Sequence, residues 1–166
     1  MEGRERKRGA RQVNLYTIGY EGRTLDDFVS ALQTAGVQLL ADVREAPVSR
    51  KPGFSKSALE QALRASGIAY RHLRALGCPK PIRDQHKVDG DWQRYTREFM
   101  QHLDQQQGAV EELAALTQTQ LTALLCFETD FDRCHRTYVA RAVAARTSAS
   151  IQHLTPTGPV ADSALG

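Results

Sequence analysis

The chain contains 166 residues, of which 41% are hydrophobic and 25% charged, a composition typical of a soluble globular protein. Its longest apolar runs, such as Leu121 to Phe127, are too short to cross a bilayer, and no signal-peptide pattern opens the chain. The three cysteines are too few, and odd in number, for a disulfide framework, so we expect reduced thiols and a cytoplasmic location.

The net charge of +3 lies in a basic leader at the start of the sequence. Residues 1–11 contain five basic and two acidic groups, whereas the remaining residues contain 17 of each. We predict a flexible leader at 1–12, a single domain at 13–155 and a flexible tail at 156–166. A basic arm can raise nonspecific affinity for nucleic acid, but most such arms are solvated tails.

Segments with the periodicity of strands alternate with segments that have the periodicity of helices. Strands are predicted at 13–18, 39–43, 68–73, 121–127 and 150–154. Helices are predicted from Thr24 to Gly36, from Ser55 or Ser57 to Gly67, from Trp92 to Leu103, after Gly108, and from His135 to Ala145. Residues 77–91 include Pro79, Pro81 and Gly90, and this pattern predicts an extended connection.

This alternation predicts an α/β fold with three layers, in which helices cover both faces of a mostly parallel central sheet of about five strands. Ligands bind to such sheets outside the carboxyl ends of the strands. Polar residues occur at that end of four predicted strands: Tyr20 after the first, Asp42 and Arg44 at the second, His72 at the third, and Cys126 and Glu128 at the fourth. We therefore predict a functional site at this edge.

The densest group of reactive side chains is Cys134-His135-Arg136, at the start of the last long predicted helix. Free backbone N–H groups and the helix dipole favour anions there and lower the pKa of a thiol. Arg136 can hold a phosphate or carboxylate through two N–H groups. The pattern indicates an activated thiolate or an oxyanion site, with His135 as acid or base. Alternatively, Cys134 packs as a small apolar residue and Arg136 pairs with Asp132.

Glu128 follows a buried strand, where a carboxylate needs either a partner or a chemical role. It is a candidate general base, or a salt-bridge partner of Arg44 or Arg136. Cys126, at the end of the same strand, is more typical of a packing residue. Asp42 interrupts a buried strand, and Arg44 is its nearest candidate partner.

A zinc site is an alternative use of the same side chains. Cys78, Cys126, Cys134, His72 and His135 are ligand types that zinc accepts. However, the Cys-x7-Cys spacing differs from the short Cys-x2–4-Cys spacing of structural zinc sites, and no glycine-rich phosphate-binding motif occurs. We therefore assign no metal ligand and no cofactor from the sequence.

Five segments together resemble the bacterial family known as domain of unknown function 488. They are Thr17-Ile18-Gly19-Tyr20, Asp42-Val43-Arg44, Phe54-Ser55-Lys56, Tyr70-x-His72-Leu73 with Leu76-Gly77, and Cys126-x-Glu128 with Cys134-His135-Arg136. The resemblance extends over about residues 14–154 and implies a compact cytoplasmic α/β domain without an established activity. It departs from the family at Tyr20, where members often carry histidine.

We predict an enzyme, either a hydrolase or a transferase, that acts on a small anionic substrate bearing phosphate, such as a nucleotide or a component of nucleic acid. The predicted catalytic residues are Glu128, Cys134 and His135, and the predicted substrate-binding residues are Asp42, Arg44, Arg136, Tyr20 and His72. The alternatives are a non-catalytic nucleic-acid-binding module and a zinc-binding protein. No membrane partner is expected, and the sequence does not indicate an oligomeric state.

Overall fold

The computed structural model describes residues 13–163, so the predicted basic leader and the last three residues lie outside the described part. The strands are β1 (Asn14–Gly19), β2 (Leu39–Asp42), β3 (Ala69–His72), β4 (Thr122–Cys126), β5 (Ser150–Thr155) and β6 (Gly158–Ala161). The α-helices are α1 (Leu25–Ala35), α2 (Lys56–Ala65), α3 (Lys80–Asp89), α4 (Trp92–Asp104), α5 (Gln107–Thr119) and α6 (His135–Thr147). Short 3-10 helices lie at Arg74–Leu76 and Phe131–Arg133.

The described strands form one sheet in the order β3-β2-β4-β1-β5-β6. All neighbouring strands are parallel except β5 and β6, which are antiparallel. The carboxyl ends of β1, β2 and β4 therefore lie side by side. The predicted α/β fold with a mostly parallel sheet is confirmed, with a sixth strand in addition to the expected five.

Two apolar cores, one on each face of the sheet, account for the three layers. Successive residues of a strand point to opposite faces, and β4 shows this clearly. Leu124 belongs to the core that includes Phe99 of α4, whereas Leu125 belongs to the core that includes Phe28 of α1 and Leu59 of α2. Helices thus cover both faces, as predicted.

The ends of α1 follow the signals in the sequence. The hydroxyl of Thr24 accepts a hydrogen bond from the backbone N–H of Asp27 at 3.1 Å, which satisfies one of the free donors of the first turn. Gly36 ends the helix with a φ of 77°, a left-handed conformation that glycine adopts without steric penalty.

The predicted extended connection at 77–91 is wrong, because residues 80–89 form helix α3. Pro81 lies in the first turn, where its missing N–H costs no intrahelical bond, and Gly90 ends the helix in a left-handed conformation. The prolines and the glycine therefore mark the two ends of a helix. No residue of α3 is fully buried, so the apolar periodicity that normally indicates a helix is weak here.

The predicted flexible tail is also wrong in part, because residues 158–161 form β6 and pair with β5. Beyond β6, the buried carboxylate of Asp162 binds the Arg141 guanidinium at 3.0 Å and the His153 imidazole at 3.0 Å. The other ring nitrogen of His153 lies 2.7 Å from the hydroxyl of Thr17 on β1. This network fixes the end of the described chain to the sheet and to α6.

The His153 network predicts that stability falls in acid. Burial holds the pKa of His153 below its ordinary value; Asp162 opposes this effect, and the positive charges of Arg136 and Arg141 add to it. The unfolded chain therefore binds a proton at this position more readily, so stability is lost as pH falls below about 6.5. Burial opposes ionisation of Asp162, but its bonds to Arg141 and His153 hold its pKa low, which adds a further loss at lower pH.

Urea unfolding at pH 7 and pH 5 measures this effect. We expect the wild type to lose more unfolding free energy between the two values than His153→Gln. The half-exposed His102, changed to Gln, is the control and should leave the wild-type dependence in place. Equal losses in His153→Gln and wild type would contradict the assignment to His153.

Within residues 13–163, none of the helices combines the length and the apolar character needed to cross a membrane.

Candidate active site

A cavity of about 300 Å³ opens at the carboxyl ends of β1, β2 and β4. Tyr20 follows β1, Arg44 follows β2, and Cys126 ends β4, and all three side chains line the cavity. Residues of helix α3 also line it. The volume is at the lower end of the range for small-molecule sites. The predicted edge of the sheet therefore carries a cavity.

Cys126, Cys134 and His135 form a buried group that we call the thiol–imidazole cluster. The two sulfurs and a ring nitrogen all lie within 4.8 Å of one another. Nδ1 of His135 is 3.6 Å from Sγ of Cys126, and Nε2 is 2.6 Å from the carbonyl oxygen of Val43. Because the carbonyl can only accept, Nε2 carries a proton and Nδ1 faces the sulfurs. Cys126 and His135 line the cavity.

Two rigid elements position the cluster. Cys126 is the last residue of β4, Cys134 is the N-cap of α6, and His135 is the first residue of that helix. The intervening loop folds back through the 3-10 helix at Phe131–Arg133, and the hydroxyl of Thr137 donates to the Phe131 carbonyl at 2.6 Å. Residues eight positions apart in sequence are thereby brought together.

The Glu128 carboxylate contacts the cluster and also lines the cavity. Its Oε2 is 3.2 Å from Sγ of Cys134, and the side chain lines the cavity. Burial raises the pKa of the Glu128 carboxyl to about 7, and the nearby Cys134 acts in the same direction. A group with such a pKa exchanges protons readily at neutral pH, which fits the predicted role of Glu128.

Protons within the cluster are distributed unequally. Burial opposes ionisation of Cys134, but a hydrogen bond from Cys126 and the positive charges of Arg136 and His135 hold its pKa well below the usual value. The same hydrogen bond, together with burial, raises the pKa of Cys126. Burial also opposes protonation of His135, yet the bond to Cys134 and its charge raise the pKa of the imidazole. The electrostatics of the cluster thus favour loss of a proton from Cys134 over loss of a proton from Cys126.

Cys134 itself is only 1% exposed and does not line the cavity. Of the two thiols in the cluster, the one that lines the cavity is Cys126, which the sequence indicated as a packing residue. Cys126 is also buried, with 6% of its surface exposed, so the predicted packing role stands beside its place in the lining. A direct attack of Cys134 on a bound substrate is not supported by its position behind the cavity wall.

Arg136, which the sequence predicts to bind the substrate, does not line the cavity. It is 1% exposed, and its Nη1 donates to the backbone carbonyl of Glu128 at 2.6 Å. Its Nε is buried and has no hydrogen-bond partner among residues 13–163. The guanidinium therefore supports the loop that carries Glu128, behind the cavity.

The Asp42 carboxylate and the Arg44 guanidinium form a buried pair. Nε and Nη2 of Arg44 donate to the two carboxylate oxygens at 2.8 and 2.7 Å, and the hydroxyl of Tyr70 donates to Oδ2 at 2.5 Å. Nη1 of Arg44 donates to the carbonyl of Phe54 at 2.7 Å. Asp42 does not line the cavity, whereas Arg44 does. Most N–H groups of Arg44 are thus bound within the protein.

Tyr20 and His72 support the cavity in different ways. The Tyr20 ring stacks on Phe54 with a centroid distance of 4.6 Å and lines the cavity. Nε2 of His72 is 2.8 Å from the carbonyl oxygen of Arg44, and this side chain lies outside the lining. His72 therefore holds the backbone after β2 in place.

Sequence reasoning missed the basic side chains that α3 presents to the cavity. They are Arg83, His86 and Lys87, at spacing i, i+3 and i+4, so they share one face of the helix. Arg83 binds Glu45 at 2.8 Å, whereas Nδ1 of His86 is buried and unpaired among the described residues. The spacing would have indicated a common face if the helix had been predicted.

A family model described as domain of unknown function DUF488 matches residues 24–143, which is more than two thirds of the chain. The match includes the Asp42–Arg44 pair, α3, Glu128 and the thiol–imidazole cluster. Comparison with curated proteins finds no match, and comparison with solved structures finds none.

Proposed function

The chain belongs to the family described as domain of unknown function DUF488, and we propose that it is an enzyme that acts on a small anionic substrate in the cavity. One observation carries the proposal: the cavity lining combines the Glu128 carboxyl, the His135 imidazole and the Cys126 thiol with the basic side chains of α3. Pockets with convergent polar groups and a carboxyl of perturbed pKa are typical of active sites.

The anionic character of the substrate follows from the charges that remain available. Arg44 and Arg83 are each paired with a carboxylate, so part of their charge is already balanced. Lys87 lines the cavity without a salt bridge to any described carboxylate, and Nδ1 of His86 is unpaired. A phosphate oxygen entering the cavity would meet these groups on the α3 side. A phosphate-bearing compound such as a nucleotide therefore fits this lining.

Glu128 is the proposed proton-transfer group because its carboxyl lies at the cavity wall beside the cluster. In a phosphoryl transfer, Glu128 takes the proton of an attacking water or hydroxyl group. The oxygen of that group forms a bond to phosphorus while the bond to the leaving group breaks, and the proton passes to the leaving group. The reaction is then a hydrolysis or a group transfer, depending on the attacking group.

The test incubates the full chain with nucleoside mono-, di- and triphosphates and with short oligonucleotides, and chromatography detects the products. For any compound that is converted, we expect Glu128→Gln to lower the turnover rate by about 100- to 10,000-fold. The matched control is Glu112→Gln. Glu112 lies on α5, and its half-exposed carboxylate pairs with Arg71 of β3. This variant should keep full activity. Circular dichroism and urea unfolding verify that both variants fold.

Two results would overturn the proposal. One is the absence of any product from the whole panel with the wild-type chain. The other is a Glu128→Gln variant that converts a substrate at the same rate as Glu112→Gln.

A further inference from the structure

We propose that the thiol–imidazole cluster binds a zinc ion, with an open coordination position that faces the cavity. Sequence spacing argues against a structural zinc site, because seven residues separate the two cysteines. The fold removes that objection by bringing the end of β4 against the start of α6. The zinc site lies at the cavity of the proposed function. Zinc binding does not depend on that function, whereas a role of zinc in catalysis rests on it.

The donor atoms have the types and the spacing that zinc requires. Zinc accepts two thiolates and an imidazole, at about 2.3 Å from sulfur and about 2.0 Å from nitrogen. A tetrahedral site then separates sulfur from nitrogen by about 3.6 Å and the two sulfurs by about 3.8 Å. In the structure, Nδ1 of His135 is 3.6 Å from Sγ of Cys126, and all three donors lie within 4.8 Å. Small side-chain movements would complete the geometry.

The surroundings of His135 fit a metal ligand. A ligating histidine usually donates its second ring N–H to a carboxylate or a backbone carbonyl, which fixes its tautomer and orientation. Nε2 of His135 lies 2.6 Å from the Val43 carbonyl, so Nε2 carries a proton and Nδ1 is the ring nitrogen that faces the sulfurs. The imidazole is thus held in the orientation that a metal ligand needs.

The fourth coordination position follows from the placement of the cavity. Cys126 and His135 line it, whereas Cys134 lies behind them, so an ion held by the three donors has one side toward the cavity. Glu128 also lines the cavity, and its carboxylate contacts Cys134. Three protein ligands with one open position are typical of catalytic zinc sites, and a neighbouring glutamate can then handle protons.

The three cysteines of the chain supply a matched test. Cys78 is buried and lines the cavity, but it is not a member of the cluster. Chain stripped of metal is titrated with zinc chloride in competition with a coloured chelator. We expect one zinc ion per wild-type chain. Cys126→Ser and Cys134→Ser should each weaken the affinity by at least about 100-fold, more than the 10- to 100-fold loss that follows when a hydrogen-bond partner of a ligand is removed. Cys78→Ser should bind zinc as the wild type does.

A second measurement does not depend on the folding of any variant. Cobalt(II) added to the wild-type chain should give the absorption of a tetrahedral thiolate complex, and zinc should displace it. Wild-type chain that binds neither ion stoichiometrically would overturn the inference, as would a Cys78→Ser variant that loses zinc as fully as Cys126→Ser. Because both measurements use no substrate, a chain that binds zinc and converts no phosphate compound would contradict the proposed function alone.

Discussion

Asp42→Ala is expected to lower the free energy of unfolding by about 3–5 kcal/mol, the cost of removing one partner from a buried ion pair. Asp42 is fully buried and Arg44 is 6% exposed, so the guanidinium would lose both of its carboxylate bonds without gaining water. Burial opposes the charged form of Arg44, but the bonds to Asp42 keep its pKa above the ordinary value. A guanidinium is charged at neutral pH even without a partner, so Arg44 stays charged in the variant, its charge is left unpaired, and unfolding becomes easier.

The matched control is Asp84→Ala, which removes the same side chain from an ion pair with Lys80 whose members are 70% and 47% exposed. We expect little change there, because exposed pairs contribute little to stability. Tyr70→Phe removes one hydrogen bond from Asp42 and should have an effect of about 1 kcal/mol. Equal unfolding midpoints in urea for Asp42→Ala and Asp84→Ala would show that the buried pair does not stabilise the fold.

The buried pair also shows what the sequence could predict. A carboxylate within an apolar strand requires a partner, and the arginine two positions later was its nearest candidate. The rule for the carboxyl ends of parallel strands likewise predicted that Tyr20, Arg44 and Glu128 would meet. Both predictions depend on local pattern and on strand direction, which the sequence encodes directly.

Side-chain direction at the start of α6 could not be read in the same way. Each residue of a helix is rotated by about 100° from the previous one, so His135 and Arg136 point to different places although they are adjacent. His135 meets the carbonyl of Val43, 92 residues earlier, while Arg136 turns behind the loop to Glu128. Only the packing of α6 against the sheet decides which of them faces the cavity.

Helix α3 shows a second limit of sequence reasoning. Its face toward the solvent is polar and none of its residues is fully buried, so the apolar period that identifies helices was too weak. The basic face toward the cavity was missed for that reason. The sequence signal that did exist was proline near the start and glycine after the end, which is the order found at helix termini.

Gly19→Ala is expected to disrupt the site and the fold together. A Cβ atom at this position would lie 1.8 Å from the carbonyl oxygen of Glu128 and 2.5 Å from its carbonyl carbon. The same oxygen accepts the hydrogen bond from Arg136, so the loop is held from both sides. Overpacking typically costs about 1–3 kcal/mol. Since backbone atoms cannot rotate away as a side chain does, we expect a loss at or above about 3 kcal/mol.

Gly108→Ala provides the control, because an added Cβ there meets no atom within 4 Å and the residue lies in α5. Alanine is the better helix former, so this variant should be as stable as the wild type or slightly more stable. Urea unfolding compares the two variants, and zinc titration of any Gly19→Ala protein that still folds tests the position of the loop. If Gly19→Ala and Gly108→Ala had the same unfolding free energy and the same zinc affinity, the close approach of the Glu128 backbone to β1 would matter neither for stability nor for the metal site. The expected difference follows because the loop that carries Glu128 has room beside β1 only where a side chain is absent.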